Sequence, residues 1–307
     1  MKEYFIGTDD LLRADQIDAA QTGAMISANT LVNRKADIKV DRWMMDSGAF
    51  TQVTKYGDFI MSPKEYIAIA KRHEATGRLA CIVSQDYMCE PDVIEMLKKA
   101  GNEASVRIHQ RKSVERYIEL CEEATKQGLN TPIMPVLQGW EVEDYAEHYK
   151  MYQKMIPAAQ TTNPILNQAI HNKDLTIGKG GWQLADRAVI KNELFNPFTQ
   201  GFNHSGKWIG IGSTCKRNLN PEIVSEILDS LEEYTAGMKI HLFGYKTTGL
   251  KSDRIKDRIH SADSFAYDFD DRYTTTERTR ENRIAAAKNF GEKIVHNAVQ
   301  TSFDLAA

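Results

Sequence analysis

Short apolar runs alternate with capped, amphipathic segments along most of this chain, and that alternation restricts its fold more than any other feature. The helical segments are marked by their ends. Ser62-Pro63-Lys64-Glu65 combines an N-cap serine, a proline at the first helical position and a capping-box glutamate. The helix it opens carries Tyr66, Ile67, Ile69 and Ala70 and is expected to stop at Gly77. Further helices are expected from Pro91 to Ala100 before Gly101, and from Ser113 to Lys126 before Gly128. Another should run from Pro221, behind Asn220, to Gly237, with Ile223, Ile227 and Leu231 on one face. Between them lie eight candidate strands, near 22–27, 43–46, 81–86, 104–108, 133–137, 208–212, 239–243 and 260–266. Alternation of this kind favours parallel strands with right-handed crossovers, so the expected fold class is α/β, a (β/α)8 TIM-like barrel.

Two stretches break the rhythm. Residues 155–206, with Asn163-Pro164, Gly180-Gly181 and Asn196-Pro197, are too long for one connection and read as an insertion near the barrel mouth, a candidate lid. The segment from 275 to 299 reads as a long C-terminal helix closing or flanking the barrel. With no repeat, low-complexity tract or linker, residues 1–307 are expected to form one catalytic domain. A hydrophobic content of 42% is enough for a full core, and no apolar run approaches the length of a membrane span. The start of the chain does not read as a signal peptide, and Cys81, Cys89, Cys121 and Cys215 are too scattered for a disulfide framework. The expected location is therefore cytoplasmic, in a host cell if the chain is phage-encoded.

Four polar residues sit where an apolar run meets a turn: Asp46, Asp86, Gln138 and Asp263. A parallel barrel brings such strand ends together at one mouth, and two converging carboxylates are the minimum equipment for breaking a glycosidic bond. Each also has a plainer reading: the aspartates as helix caps, Gln138-Gly139 as turn chemistry. Ser47-Gly48-Ala49 is a small-residue turn that lets a ligand approach the backbone after Asp46. Gly210-Ile211-Gly212-Ser213 suits either a phosphate or the polar edge of a heterocycle. Phe50 and Phe243 stand at strand ends, either as a stacking pair around an aromatic base or as core aromatics.

No CxxC or CxC occurs, so no metal is expected, although Cys89 and Cys215 each follow a mouth position and stand to approach one another. His204, His241 and His260 read as structural. The net charge of −3 hides two basic clusters. One is Lys216-Arg217; the other comprises Arg272, Arg278, Arg280, Arg283 and Lys288, interleaved with Glu277 and Glu281. Either a solvated helix face or a phosphate-contacting surface accounts for the second cluster.

At these residues the chain resembles the tRNA-guanine transglycosylase superfamily, and within it the DpdA-type branch of phages and bacteria, which places 7-deazaguanines in DNA. Asp46-Ser47-Gly48-Ala49-Phe50 resembles a DSGGF motif, and Asp263-Ser264-Phe265-Ala266-Tyr267 is similar to an FDSAAY motif. Gln85-Asp86-Tyr87-Met88-Cys89-Glu90-Pro91 and Leu137-Gln138-Gly139 resemble the family's base-recognition segments. Residues 209–217 are reminiscent of the DpdA branch. The chain departs from the tRNA-modifying members: DSGA replaces DSGG, Trp140 replaces a second glycine, and no cysteine follows Cys215 where a zinc site is usual. The resemblance therefore implies an enzyme without the family zinc or an appended RNA-binding module.

It further implies Asp263 as nucleophile and Asp46 as acid and base. Asp86 and Gln138 would read the base edge, with Ser47 and Gly139 beside it. Gly210 and Gly212 would donate amides to a base carbonyl, while Phe50 and Phe243 stack on its faces. The implied partners are DNA, alternatively tRNA, and a free 7-deazaguanine such as preQ0 or a relative, with Lys216, Arg217, Arg272, Arg278 and Arg280 against the phosphates. A homodimer would be an ordinary assembly. The competing readings are a base-releasing N-glycosidase on the same barrel and a non-catalytic nucleic-acid-binding module.

Overall fold

The computed structural model describes residues 1–8, 22–76, 78–162, 206–266 and 279–303. The strands are β1 (Glu3–Thr8), β2 (Thr22–Ser27), β3 (Trp43–Asp46), β4 (Leu79–Val83), β5 (Ile133–Met134), β6 (Val136–Leu137), β7 (Trp208–Ile211), β8 (Lys239–Leu242) and β9 (Ser261–Ser264). All lie parallel in one sheet of order β5-β4-β3-β2-β1-β9-β8-β7-β6. The two ends of that order are halves of one segment. Pro135 lacks an amide proton, so it interrupts the ladder between β5 and β6 while its carbonyl still accepts from Gly210 N at 2.9 Å. β5 pairs with β4 and β6 with β7, so the segment 133–137 is one stave and closes an eight-staved α/β barrel of the TIM type.

Helices cover the outside. They are α1 (Ala28–Leu31), α2 (Ala49–Tyr56), α3 (Pro63–Glu74), α4 (Pro91–Lys99), α5 (Val106–Gln127), α6 (Val142–Thr162), α7 (Pro221–Thr235), α8 (Asp253–Lys256) and α9 (Arg280–Phe303). Side chains alternate between two cores. One series, Phe5, Met25, Met44, Cys81, Val83, Met134, Val136 and Trp208, fills the barrel interior as its own cluster. The offset series, including Tyr4, Ile6, Ile26, Met45, Ile82, Leu137, Ile209, Leu242 and Ala262, packs outward against the helices.

The expected helix ends hold at Ser62, whose capping box with Glu65 is formed, and at Pro91 and Pro221. Two elements differ. The segment 104–108 is not a strand: the Ser105 hydroxyl accepts from Ile108 N at 3.2 Å and starts α5 at Val106, seven residues before the expected Ser113. The eighth stave is instead β1, whose apolar run Tyr4-Phe5-Ile6 pairs with β2 and β9. The expected C-terminal helix is present as α9 and packs on β1, Phe290 meeting Tyr4 edge-on at 6.1 Å. The expected insertion at 155–206 begins as the end of α6. Residues 163–205, with the lid reading and His204, lie outside the described residues, as do Gly77, Arg272 and Arg278. Among the described residues no helix is long and apolar enough to cross a membrane.

Candidate active site

The alternation that fills the barrel also aims the site. Asp46 follows inward Met44 by two residues, Gln138 follows Val136, Gly212 follows Gly210, and Asp263 follows Ser261. Each therefore continues an inward row to the carboxyl end of its strand, where a parallel barrel carries its chemistry.

Asp263 is buried, and both hydrogen bonds to its carboxylate arrive at one oxygen. Gly244 N donates to Oδ1 at 2.9 Å, and His241 Nε2 lies 3.2 Å from the same atom. Among the described residues no hydrogen bond reaches Oδ2. These donors come from β8 and the turn after it, so Asp263 is not a helix cap.

Asp46 is half-buried, and its Oδ2 accepts from Gly48 N at 3.0 Å. Gly48 has φ +73° and itself caps α2, which frees Asp46 from that task. A Cβ on Gly48 would stand 2.4 Å from the side-chain amide nitrogen of Asn29, and with the left-handed backbone any larger residue there is strained. Burial drives the Asp46 pKa up and the negative charge of Asp263 adds to it. The amides of Gly48 and Ser47 oppose both, and the balance is a value pushed up to about 6. Ser47 is buried, and its hydroxyl has no hydrogen-bond partner among the described residues.

A polar chain lies beside this pair. Ser213 Oγ donates to Gln138 Oε1 at 2.8 Å, and Gln138 Nε2 donates to Asp86 Oδ2. The chain fixes which way the Gln138 amide faces. Gly212 makes room for it, because a Cβ there would stand 2.2 Å from Gln138 Nε2. Ser213 holds φ +55°, a left-handed conformation unusual for a residue with a side chain, at the point where β7 turns away. Burial, with the charges of Asp46 and Glu90, pushes the Asp86 pKa up to about 7 against the Gln138 hydrogen bond.

The backbone of Gln138 is held from outside the barrel. Its amide donates to His148 Nδ1 at 2.8 Å, its carbonyl accepts from Gln110 Nε2 at 2.8 Å, and His148 Nε2 is tied to Gln110 O at 3.0 Å. Burial drives the His148 pKa down to about 3, so the ring is neutral and can accept at Nδ1. The Tyr145 hydroxyl is shared between the carbonyls of Gly139 and Gly212, at 3.0 and 3.1 Å. Gly139 is thereby part of the wall, with Asp144 and Tyr145 packed where a Cβ would go.

Several expected roles change. The amides of Gly210 and Gly212 donate to Pro135 O and Leu137 O at 2.9 and 2.8 Å, so they belong to the sheet and cannot also bind a base carbonyl. Gly210 instead leaves space for the Phe243 ring, which a Cβ would meet at 2.4 Å. Phe243 is half-buried and meets His241 edge-on at 4.7 Å, whereas Phe50 stands 68% exposed on α2. Arg217 is not a free phosphate contact: it is buried, with its guanidinium carbon 4.4 Å from the Trp140 ring centroid and a hydrogen bond to Trp140 O. Lys216 is exposed and pairs with Asp92, and Arg280 is exposed at the start of α9.

The two thiols face different groups. Cys89 Sγ points at the carbonyls of Tyr87 and Val106, and Cys215 Sγ lies 3.9 Å from Glu90 Oε1. Among the described residues no group of three or more His, Cys, Asp or Glu is placed to hold a metal ion.

The sequence marks His241 only as structural and gives Ser213 and Glu90 no role of their own, yet all three stand at the site. His241 stands on the inward row of β8, the only signal that marks it. Glu90 is the N-cap position of α4 but makes no capping bond. It is buried, its charge acts on Asp86, and burial pushes its own pKa up. A separate groove of about 570 Å3 lies between α1, α2 and α3. Among its lining side chains, Asn29, Gln52, Glu65 and Arg72 are bonded within the chain.

A closed α/β barrel with three buried or half-buried aspartates at the carboxyl ends of its strands has its polar groups where barrel enzymes carry their active sites. Residues 3–165, more than half of the chain, match the family DpdA, described as DeoxyPurine in DNA protein A, and the chain belongs to that family. The match contains Asp46, Asp86 and Gln138 and ends before Asp263. Comparison with curated proteins gives no match.

Proposed function

We propose that this protein exchanges guanine in DNA for a free 7-deazaguanine, such as preQ0 or a relative, through a covalent bond between Asp263 and the sugar. The observation that carries the reading is the unequal treatment of two interacting carboxyls at one mouth. Asp263 has one oxygen held by two donors, and Asp46 has its pKa pushed up to about 6. Groups whose environments push them apart are the means by which two carboxyls divide nucleophilic and acid–base work.

In the first half, Asp263 Oδ2 attacks C1′ and forms a C1′–O bond as the bond from C1′ to the guanine nitrogen breaks. The bonding pair leaves with the base, which takes a proton from Asp46. In the second half, Asp46 takes a proton from the incoming base, whose ring nitrogen attacks C1′ and releases Asp263. The glycosidic bond is conserved overall, so the steps need only the chain's own side chains. Asp86 and Gln138 read the base edge and Phe243 lies along one face, with exposed Phe50 available for the other. The target base has to leave its stack, which costs a few kcal/mol in a duplex.

Labelled guanine exchange into DNA and into tRNA, run side by side, tests the proposal. Label entering DNA, with exchange abolished in Asp263→Asn, is the expected result. Label entering tRNA alone moves the substrate to RNA, and free base released without incorporation makes the protein a glycosidase.

A further inference from the structure

The interior of the barrel behind Asp263 is polar where its neighbours are apolar. Ser261 and Asp263 on β9 and His241 on β8 point into the space whose other lining includes Phe5, Met25 and Met44. The imidazole is fully buried. Its Nδ1 lies 2.8 Å from Ser261 Oγ, its Nε2 lies 3.2 Å from Asp263 Oδ1, and the rings of Phe5 and Phe243 meet it edge-on at 6.1 and 4.7 Å. A carboxylate oxygen accepts only, so the ring presents an Nε2–H to Asp263, and Nδ1 accepts the Ser261 hydroxyl proton in the neutral ring. A chain Ser261→His241→Asp263 results, with every polar atom of the ring used.

We propose that His241 is a positioning residue for the nucleophile: with the Gly244 amide it fixes Oδ1, so that Oδ2 is presented to the sugar and Asp263 departs readily in the second half of the exchange. The inference rests on Asp263 being the nucleophile, as proposed above. Its physical content lies in the change of charge at Oδ1. When Oδ2 bonds to C1′, Oδ1 becomes an ester carbonyl and the two donors lose strength. When the incoming base breaks that bond, the pair returns to Asp263 and the donors again face a full carboxylate. Charge-assisted hydrogen bonds are the stronger ones, so His241 assists resolution of the adduct more than its formation. The close edges of Phe5 and Phe243 stop the ring from turning away, which makes the donor preorganised.

Two measurements test this. In single-turnover reactions with DNA, His241→Leu is expected to resolve the covalent adduct roughly 10- to 100-fold more slowly on adding free base, the range for losing one hydrogen bond to a charged group. Formation should be slowed less, so the adduct accumulates. His241→Gln places an amide N–H the same number of bonds from Cα as Nε2, and it should restore most of the rate. Equal slowing of both steps in His241→Leu, or no rescue in His241→Gln, would mean a packing role and overturn the proposal. Selective 15N labelling of the histidines reads the hydrogen bond without any turnover. His241 should be the Nε2–H tautomer, with that proton shifting in Asp263→Asn, and an Nδ1–H tautomer refutes the clamp. If wild-type protein forms no adduct at all, the proposed reaction falls, while the nitrogen spectrum still decides whether His241 donates to Asp263.

Discussion

Replacing Asp46 by asparagine is expected to stabilise the protein while disabling it. The carboxyl pKa rises from 3.8 to about 6 in the folded chain because burial and the charge of Asp263 both resist its ionisation. A rise of about 2 units corresponds to about 3 kcal/mol between the charged and neutral forms. Water reaching the half-buried side chain reduces that to about 1–2 kcal/mol. Asparagine keeps an oxygen for the Gly48 amide and removes the charge. The sign follows from linkage. Below pH 3.8 Asp46 is neutral in both the folded and unfolded chain, and the substitution changes little. Between there and about pH 6 the unfolded chain loses its proton first, and wild type progressively loses stability that the variant keeps. Above pH 6 the difference is constant. Thermal unfolding at pH 8 should show the variant melting about 2–4 °C higher, the size expected for a large domain, and at pH 4 the two curves should nearly coincide. Exchange should fall by about 10²- to 10⁴-fold, the ordinary worth of a positioned acid–base group. A variant that melts lower at pH 8, or gains equally at pH 4, would refute the claim that Asp46 is held against its preferred charge.

Other consequences are as direct. The same raised pKa means that adduct formation, which needs protonated Asp46, should decline as pH rises through about 6, while base attack on the adduct, in which Asp263 no longer carries its charge, should increase through a lower interval; stopped single-turnover reactions read both. Gly212→Ala drives a methyl into the Gln138 amide and should raise the KM for the free base by roughly tenfold, the worth of a lost buried hydrogen bond, in steady-state exchange assays. Phe50→Ala removes an exposed ring, so thermal unfolding should not change, whereas DNA or base affinity should weaken by about 1–3 kcal/mol in a titration if the ring stacks. Arg217→Ala should cost about 2–4 kcal/mol of stability in denaturant unfolding, from the lost stack on Trp140 and its carbonyl bond. The salt dependence of its DNA binding should match wild type.

What the sequence revealed depended on whether a signal was local. Caps and proline starts act within four residues, which is why Ser62, Pro91 and Pro221 mark their helices correctly. In the stretch 104–108, Ala104, Val106 and Ile108 alternate like a strand, but the Ser105 cap decides for a helix. β1 is short and precedes any turn signal, and it is a strand because β2 and β9 lie on either side of it. Asp46, Gln138 and Asp263 were visible as polar residues ending apolar runs. The partners that define their chemistry were not, since His241 meets Asp263 across 22 residues and Ser213 meets Gln138 across 75. Gly210 and Gly212 show the converse error: a glycine pair suggested free amides, and the ladder to 135–137 uses both.

One segment links the fold to the site. Pro135 ends one half of the fifth stave and begins the other, whose pairing with β7 ends at Leu137, so Gln138 follows with its amide and carbonyl free of any strand partner. His148 and Gln110, from the outer helices, take those two groups instead. The Gln138 side chain is then free to lie across Gly212 toward Asp86, with Ser213 choosing its orientation. The segment that closes the barrel therefore also places the Gln138 amide, the group proposed to read the base. A substitution that restores an amide proton at Pro135 should be tolerated by the fold, yet it should alter base affinity before it alters stability. Melting temperature measured beside the KM for free base distinguishes this: a Pro135→Val variant that melts lower while binding base normally would separate the two and refute the link.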